Sequence, residues 1–573
     1  MAGDTRNGTP QAAPDGAPAH TLVISDLVVE TRGREPRRIL DGVSLHVAPG
    51  ETVCLVGESG SGKSVSSLAT MGLLPKDALT VRSGVIEVEG EDVLSASPKR
   101  LRQLRATRMS MIFQEPMTAL NPVLSIEKQL DEVLDAHSAA TGTERRKRIR
   151  DILELVRLPD IERMCRSFPH QLSGGQRQRV MIAMALILEP KLLIADEPTT
   201  ALDVTTQKAI LELVADIQKR LGTSVLFITH DMGVVADIAD RVYVMRHGRI
   251  VEDGPIGSIL REPKKDYTRD LLASVPALSP RPARPATSAE IVLQTSQLTM
   301  VYGRPSFFRK GEGTVAAKDI DLVLKRGRTL GIVGESGSGK STVARCVMRL
   351  LDPTGGSIRL RNREIADVSR RALRPHRKRM QMIFQDPNRS LNPRLTVGES
   401  IIEGPINYGV DPDSARNKAR SLLETVGLPA DAIDRHPHQF SGGQRQRIAI
   451  ARALALEPDL LVADEAVSAL DVSVQAQVLD LLDDLQARLG VALLFITHDL
   501  RVAAQICDEV AVMQKGRIVE CGPTGEVLGN PAEAYTRQLI DAAPGRFWDF
   551  PNFRPLAGAH EPSRQDVMVE PAR

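Results

Sequence analysis

A chain of 573 residues is too long for one ordinary core and fits roughly two to four domains. Hydrophobic residues at 42% and charged residues at 25% give the balance of a soluble globular protein. The 74 basic and 72 acidic side chains leave a net charge of +2, without the strong basic excess of a protein that grips nucleic acid through its phosphates.

The first twenty residues are rich in Gly, Pro and Ala and contain no apolar h-region, so 1–20 reads as a disordered tail rather than a signal peptide. No apolar run approaches the ~18–20 residues needed to span a bilayer. The run ETVCLVG reads as a buried strand leading into GESGSGKS, Gly57–Ser64. An octet of this form between a strand and a helix is a phosphate-binding loop by mechanism. Gly57, Gly60 and Gly62 let the backbone wrap a polyphosphate where a Cβ would intrude. Together with Glu58, Ser59 and Ser61 they line a concave positive site at a helix N-terminus. Lys63 is placed to reach the β- and γ-phosphates, and the Ser64 hydroxyl to hold Mg²⁺.

Further along, Gln114 in IFQEP offers a side-chain amide that can coordinate Mg²⁺ and accept from a water. The stretch from about Pro116 to Pro169 is mostly helical in pattern and reads as a helical subdomain. In SGGQRQR, Ser173, Gly174, Gly175 and Gln176 open a helix with exposed N–H groups and a hydroxyl, a second anion site with no lysine of its own. The strand KLLIAD ends in Asp196–Glu197; the first acid suits Mg²⁺ through water, the second suits polarising an attacking water as general base. TQKAILELVADIQKRLG is an amphipathic helix, and SVLFIT is another buried strand, followed by His230. A neutral ring there can contact a γ-phosphate and orient the water. A Pro-, Ala- and Ser-rich segment, residues 274–290, reads as a semi-rigid, mostly uncoiled linker.

After the linker the same order returns. GESGSGKS recurs as Gly334, Glu335, Ser336, Gly337, Ser338, Gly339, Lys340 and Ser341; Gln385 lies in IFQDP; Ser441, Gly442, Gly443 and Gln444 form the second SGGQ. Asp464–Glu465 ends the strand DLLVAD, and His498 follows ALLFIT. Taken singly, a strand-end acid pair is more often a turn, and a lone His a satisfied surface residue. Their recurrence in one order means two copies of a whole domain. Alternating strands and helices predict an α/β core with a largely parallel sheet in each copy, the second with its helical subdomain at about Pro387–Pro437. The expected domains are 21–273 and 291–545, with a C-terminal tail over 546–573. The five cysteines, Cys54, Cys165, Cys346, Cys507 and Cys521, form no CxxC pair and point to a reducing compartment.

Together these residues resemble the ATP-binding cassette (ABC) superfamily over roughly residues 20–545. GESGSGKS is similar to its Walker A loop, Gln114 and Gln385 to the Q-loop residues, LSGGQ and FSGGQ to the signature, LLIADE and LLVADE to Walker B, Ala201–Asp203 and Ala469–Asp471 to the D-loop, and His230 and His498 to the switch histidines. The resemblance implies two P-loop NTPase domains, each with a RecA-like core and a helical subdomain. ATP and Mg²⁺ are the implied ligands, and the two copies would form an intramolecular pseudo-dimer. In that head-to-tail sandwich Lys63 shares a site with Ser441, and Lys340 with Ser173. Asp196 and Asp464, with Ser64, Ser341, Gln114 and Gln385, are the implied metal ligands; Glu197, Glu465, His230 and His498 are the implied catalytic groups. Neither site has lost a key residue, so both are expected to hydrolyse ATP.

A closer resemblance is to the peptide/nickel importer branch, carried by QEPMTALNP (Gln114–Pro122), QDPNRSLNP (Gln385–Pro393), DEPTTALDVT, DEAVSALDVS and the tails DYTRDLLASVP and AYTRQLIDAAP. It implies a fused pair of D-type and F-type ATPase subunits at the cytoplasmic face of the plasma membrane. These would energise two permease subunits and, through them, serve an extracytoplasmic substrate-binding protein. Peptide, nickel, glutathione and opine cargo are not separated by the residues. The adenine-stacking aromatic aligns with Tyr302 in copy two but with Thr31 in copy one, so base stacking is expected to be weaker at the first site. No cysteine cluster follows the first core, so no iron–sulfur centre is expected. GRFWDFPNF, Gly545–Phe553, holds the only Trp and reads as a folded-back tail rather than a docking patch. The rival readings are a cytosolic ABC protein acting on ribosomes or DNA, and the ATPase of an exporter. The short Pro-rich linker and missing CxxC modules argue against the first, the importer-like Q-loops against the second. Basic runs at Glu144–Arg150 and Ser369–Arg379 read as solvated helix faces, and no nucleic-acid partner is expected.

Overall fold

The structure is a computed structural model that describes residues 20–114, 119–138, 140–199, 202–282, 284, 288–303, 313–468 and 470–556. Most of the expected N-terminal tail, the Q-loop segment 115–118, Ala201 and Ala469 of the D-loop stretches, linker positions 283 and 285–287, and residues 557–573 lie outside the described residues. The chain divides into two compact units. The first is Met1–Thr200, Ile210–Thr229 and Ile238–Ile256; the second is Ala201–Ala209, His230–Asp237 and Gly257–Arg573.

The strands of the first unit are β1 (Leu22–Thr31), β2 (Arg38–Val47), β3 (Thr52–Val56), β4 (Leu79–Val88), β5 (Glu91–Asp92), β6 (Met109–Ile112), β7 (Leu192–Asp196), β8 (Ser224–Ile228), β9 (Arg241–Arg246) and β10 (Arg249–Pro255). They form two sheets. The larger has the order β10-β9-β3-β8-β7-β6 and is parallel apart from its β9–β10 edge. Every side chain of β3, β7 and β8 is buried, as expected of parallel strands covered on both faces. The smaller sheet, β2-β1-β4-β5, is antiparallel throughout. The expectation of a largely parallel sheet therefore omits a second sheet, and the reason is visible in β1. Its apolar residues alternate as in a half-buried strand, but register shifts near Asp26, which sits at φ 47°, interrupt the period.

Between β6 and β7 the described chain is helical: Ile126–His137, Gly142–Leu155 and Ile161–Arg166, then Gly174–Leu186. Their starts are local sequence effects. Ser125 accepts from Lys128 N, and Thr141 and Glu144 close a capping box, satisfying donors that a helix N-terminus leaves free.

The second unit repeats this plan with β11 (Ile291–Tyr302), β12 (Thr314–Lys325), β13 (Thr329–Val333), β14 (Gly355–Leu360), β15 (Arg363–Glu364), β16 (Met380–Ile383), β17 (Leu460–Asp464), β18 (Ala492–Ile496), β19 (Glu509–Gln514) and β20 (Arg517–Pro523). The sheets are β12-β11-β14-β15 and β16-β17-β18-β13-β19-β20. Helices Val397–Asn407 and Pro412–Thr425 lie between β16 and β17. Both basic runs fall on mostly exposed helix faces, where Arg145 pairs with Asp131 and Arg150 with Glu162.

One feature of the second unit is not evident from composition. Linker arginines dock on the core: Arg281 and Arg284 reach Asp508 at 2.9 and 3.1 Å and Asp483 at 2.7 and 2.9 Å. Asp508 is 1% exposed and also accepts Thr329 N–H at 2.8 Å. Burial would raise its carboxyl, but Arg284, Thr329 N–H and Arg281 hold it below the ordinary value. Replacing Asp508 by Ala leaves Arg281 and Arg284 with Asp483 as the remaining carboxylate, which costs about 2 kcal/mol and should appear as a drop in melting temperature. Because the folded-state value is depressed, the wild-type contribution is present above the unfolded carboxylate range and is lost as pH falls through the folded value. An acid melt unchanged between wild type and D508A would contradict this.

The C-terminal segment folds back. Trp548–Asp549 pairs with Arg554–Pro555, Phe550 is 2% exposed, and Arg261 lies 6.0 Å from the centre of the Trp548 ring.

Candidate nucleotide sites

In the first unit Gly57–Ser64 joins β3 to the helix Lys63–Thr70. Gly57 and Gly62 adopt φ of 148° and 110°, and a Cβ on them would lie 2.1 Å from Met245 O and 2.6 Å from Leu40 Cδ2. These glycines are required by both conformation and space. Gly60, at φ 76°, has open space around it. The loop is tied by Ser61 N–H to Glu58 O and by Gly248 N–H to Ser61 O, at 3.2 and 2.9 Å. Lys63 is buried, and its ammonium donates to Gly57 O and Glu58 O, both at 2.8 Å.

The second unit reproduces this closely. Gly334 and Gly339 have φ of 146° and 106°, with a Cβ 2.2 Å from Met513 O and 2.1 Å from Ala316 O. Lys340 donates to Gly334 O and Glu335 O at 2.8 and 2.7 Å. Burial pulls its ammonium below the usual lysine value, against Glu465, Asp203, Asp464 and Glu335, which favour the charge. Glu335 N–H donates to Tyr535 Oη at 3.3 Å.

The acids stand where the strands end. Ser64 Oγ donates to Asp196 Oδ1 at 3.2 Å, and Ser341 Oγ to Asp464 Oδ1 at 2.8 Å. Burial raises both aspartate carboxyls; the serine hydroxyls oppose the rise. Glu197 and Glu465 follow at φ of 46° and 48°, a left-handed turn that costs about 1–2 kcal/mol outside glycine. The kink is stitched by Glu197 N–H to Ile228 O and Glu465 N–H to Ile496 O, both 2.9 Å. It turns the second acid out of the strand, so Gln114 Nε2 donates to Glu197 at 2.8 Å and Gln385 Nε2 to Glu465 at 2.6 Å. Such strain gathers where a side chain must be aimed.

In the second unit His498 Nδ1 is 3.4 Å from Glu465 Oε1. Burial would raise the Glu465 carboxyl, but the His498 ring, Lys340 and Gln385 bring it below its ordinary value. Burial would lower His498, yet Glu465 and Asp499 leave it raised. His230 is half-buried and opens the segment His230–Asp237 of the second unit.

Ser173 and Ser441 each cap a 13-residue helix. Ser173 Oγ accepts Gln176 N–H at 3.2 Å while Gln176 Oε1 accepts Ser173 N–H at 3.0 Å; Ser441 and Gln444 do the same at 3.3 and 3.0 Å. The two glutamines thus shape the helix start, which leaves exposed Ser173, Gly174, Ser441 and Gly442 as the presented surface. Gly443 is buried, with a Cβ 2.2 Å from Val474 Cγ1. Tyr302 ends β11, 39% exposed, its hydroxyl 3.5 Å from Thr342 Oγ1 beside Ser341. At the end of β1, Thr31 Oγ1 accepts Arg37 N–H instead.

The loops fit a nucleotide on their own evidence. Ser61 Oγ and Ser338 Oγ are buried without a hydrogen-bond partner, while Gly57, Gly62, Gly334 and Gly339 keep the cradle free of side chains. The hydroxyl–carboxylate pairs Ser64–Asp196 and Ser341–Asp464 are an oxygen donor set of the kind a hard cation takes.

Two contacts around the second loop have no signal in the sequence: those of Tyr535 and Thr205 with Glu335. Thr205 Oγ1 lies 2.8 Å from Asp203 Oδ1 and 2.6 Å from Glu335 Oε1, its one proton shared between the two carboxylates. Tyr535 lies in the tail AYTRQLIDAAP, and nothing in its spacing foretells a contact with Glu335.

Phosphate loops, strand-end acid pairs and serine-capped helices in duplicate define a nucleotide-hydrolysing protein of the ABC class. The ABC transporter family model matches residues 40–200 and 317–468, and the model for the oligopeptide/dipeptide transporter C-terminal region matches 251–299 and 519–550. The chain belongs to the ABC transporter family; it binds and hydrolyses ATP as the energy-coupling subunit of an importer. It is 47% identical over 508 residues to the peptidoglycan transport ATP-binding protein YejF of Agrobacterium fabrum, covering 88% of this chain and 92% of that protein. It is 46% identical over 534 residues to the glutathione import ATP-binding protein GsiA of Salmonella typhimurium, covering 88% and 86%. An uncharacterized ABC transporter ATP-binding protein, YejF of Escherichia coli K12, is 44% identical over 522 residues, covering 91% and 98%. Among the described residues no helix is long and apolar enough to cross a membrane.

Proposed function

We propose that the chain drives uptake of short peptides or peptide-like compounds through a separate permease of two transmembrane subunits. It would bind their cytoplasmic side at the plasma membrane and receive cargo delivered by an extracytoplasmic binding protein. Two ATP molecules would be clamped head to tail, one by Lys63 and Ser441, the other by Lys340 and Ser173. The observation that supports the clamp is that Thr205, which follows the first acid pair in sequence, belongs to the second unit, its hydroxyl 2.6 Å from Glu335 of that unit's phosphate loop. The importer reading draws on the matches over both C-terminal tails and on the relatives' import names.

In this reading the loop N–H groups and the orphan hydroxyls of Ser61 and Ser338 take phosphate oxygens, and Lys63 or Lys340 leaves its backbone carbonyls for the β- and γ-phosphates. Ser64, Ser341, Gln114 and Gln385 would hold Mg²⁺, with Asp196 and Asp464 behind water, and such an ion would supply positive charge to the phosphates. Glu197 and Glu465 accept a proton from the attacking water, and His230 and His498 orient it. Ser173 and Ser441, with the glycines after them, complete the γ-phosphate cradle. Opening after hydrolysis would reach the permease through the helical parts. In the first unit a cleft of about 260 Å³ opens among Pro98–Thr107, Ile126–His137 and Gly174–Leu186, lined by Arg102, Arg105, Val133, His137 and Met184.

Affinity purification from the native membrane tests the assignment. Two integral membrane subunits are expected to accompany the chain, and ribosomes recovered in their place would contradict it. Tyr302 supplies a second test. Tyr302→Ala should raise KM for ATP at the Lys340 site about fivefold, the scale of one aromatic stacking contact. An unchanged KM would remove it from the adenine site.

A further inference from the structure

Arg501 is a buried charge beside the histidine segments, and the ATP cycle described above does not use it. It is 8% exposed. Its Nε lies 3.4 Å from Asp499 Oδ1, and its Nη2 lies 3.2 and 3.3 Å from the two carboxylate oxygens of Asp231 and 3.5 Å from Asp499 Oδ2. Asp499 directly follows His498, and Asp231 directly follows His230. One guanidinium therefore joins the residues next to both histidines, all within the second unit.

The sequence is arranged around this contact asymmetrically. In THDMGVVADI and THDLRVAAQI, Gly233 stands where the second copy has Arg501. A Cβ on Gly233 would lie 2.5 Å from Arg501 Nη1 and 2.6 Å from Pro544 O. The helix Met232–Ile238 thus presents bare backbone to the guanidinium, and two arginines facing each other would repel. Each aspartate is also committed locally, Asp231 Oδ1 accepting Gly233 N–H at 2.9 Å and Asp499 Oδ1 accepting Arg501 N–H at 2.8 Å. Movement of either histidine segment therefore pulls on the same cation. An arginine serves here because its planar fork reaches two carboxylates at once.

We propose that Arg501 is a positioning residue that couples the two ATP sites, holding the segments after His230 and His498 in one mutual setting. Hydrolysis at one site is thereby felt at the other. The inference rests on the reading that each histidine serves one ATP. It assigns no chemistry to Arg501, which touches neither nucleotide nor water.

The test is a mutant cycle on the full chain, read as steady-state phosphate release. With Arg501 present, Glu465→Gln should lower total turnover by ~10-fold or more, because the surviving site is held back by its stalled partner. In Arg501→Met the same change should lower it only ~2-fold, removing one site's share of independent turnover. Arg501→Lys should restore part of the coupling, since a cation returns without the fork. Asp231→Asn keeps the side chain's shape and its bond to Gly233 N–H, so it should decouple the sites in a protein that still folds. Equal losses from Glu465→Gln with and without Arg501, in variants with wild-type melting curves, would overturn the proposal, as would full coupling in Asp231→Asn. Full activity in both His230→Ala and His498→Ala would instead remove the underlying assignment of the histidines.

Discussion

Glu465→Gln is expected to reduce ATP turnover by ~100-fold or more at its own site, the scale of a positioned general base. Its carboxylate is aimed by the φ 48° turn after β17 and sits between Gln385 Nε2 at 2.6 Å and His498 Nδ1 at 3.4 Å. Those neighbours hold its carboxyl below the ordinary value, which leaves it in the charged form that the proposed general base requires. Glutamine preserves the size and the turn but cannot accept the proton. ATP affinity should be nearly unchanged, because the substitution removes a group needed in the transition state rather than in the ground state. Glu197→Gln should act the same way, since Glu197 has the same turn and the same bond from Gln114. Either single variant keeping wild-type turnover would refute the equivalence of the two sites.

The second large effect is expected from Gly339→Ala. A methyl there would lie 2.1 Å from Ala316 O at a φ of 106°. The obstacle is backbone, so relief requires the loop to move together with Lys340 and Ser341. ATP affinity at that site should fall by ~100-fold or more, equivalent to about 3 kcal/mol. Gly337→Ala is the control. Gly337 has φ 78° and nothing within 4 Å of its added carbon, so only left-handed strain of about 1–2 kcal/mol is expected. Equal losses in both variants, measured by equilibrium binding of a fluorescent ATP analogue, would show that close approach of the backbone is not what Gly339 provides.

Much of this site is legible in the sequence because its chemistry is contiguous. A phosphate loop needs its glycines, lysine and serine in one octet, and Asp196–Glu197 and Asp464–Glu465 are each adjacent pairs at the ends of apolar runs. The antiparallel sheets were hidden by irregular register, as at Asp26 and, in β11, Gln297, both at positive φ. Long-range partners were hidden for a different reason. Arg281, Arg284 and Arg501 look like ordinary solvated cations until the fold brings Asp508, Asp231 and Asp499 to them. Gly233 is informative only once it is set against Arg501. Thr205 reaches Glu335 across 130 positions of sequence, a pairing that no local pattern encodes.

The central claim is that each ATP is shared by opposite copies. The direct measurement is a structure of the Glu197→Gln, Glu465→Gln protein loaded with ATP and Mg²⁺. The account predicts Ser441 Oγ within about 3 Å of the γ-phosphate held by Lys63, and Ser173 Oγ equally near the one held by Lys340. A nucleotide-loaded structure in which both serines face solvent, or each meets the phosphate of its own copy, would contradict it.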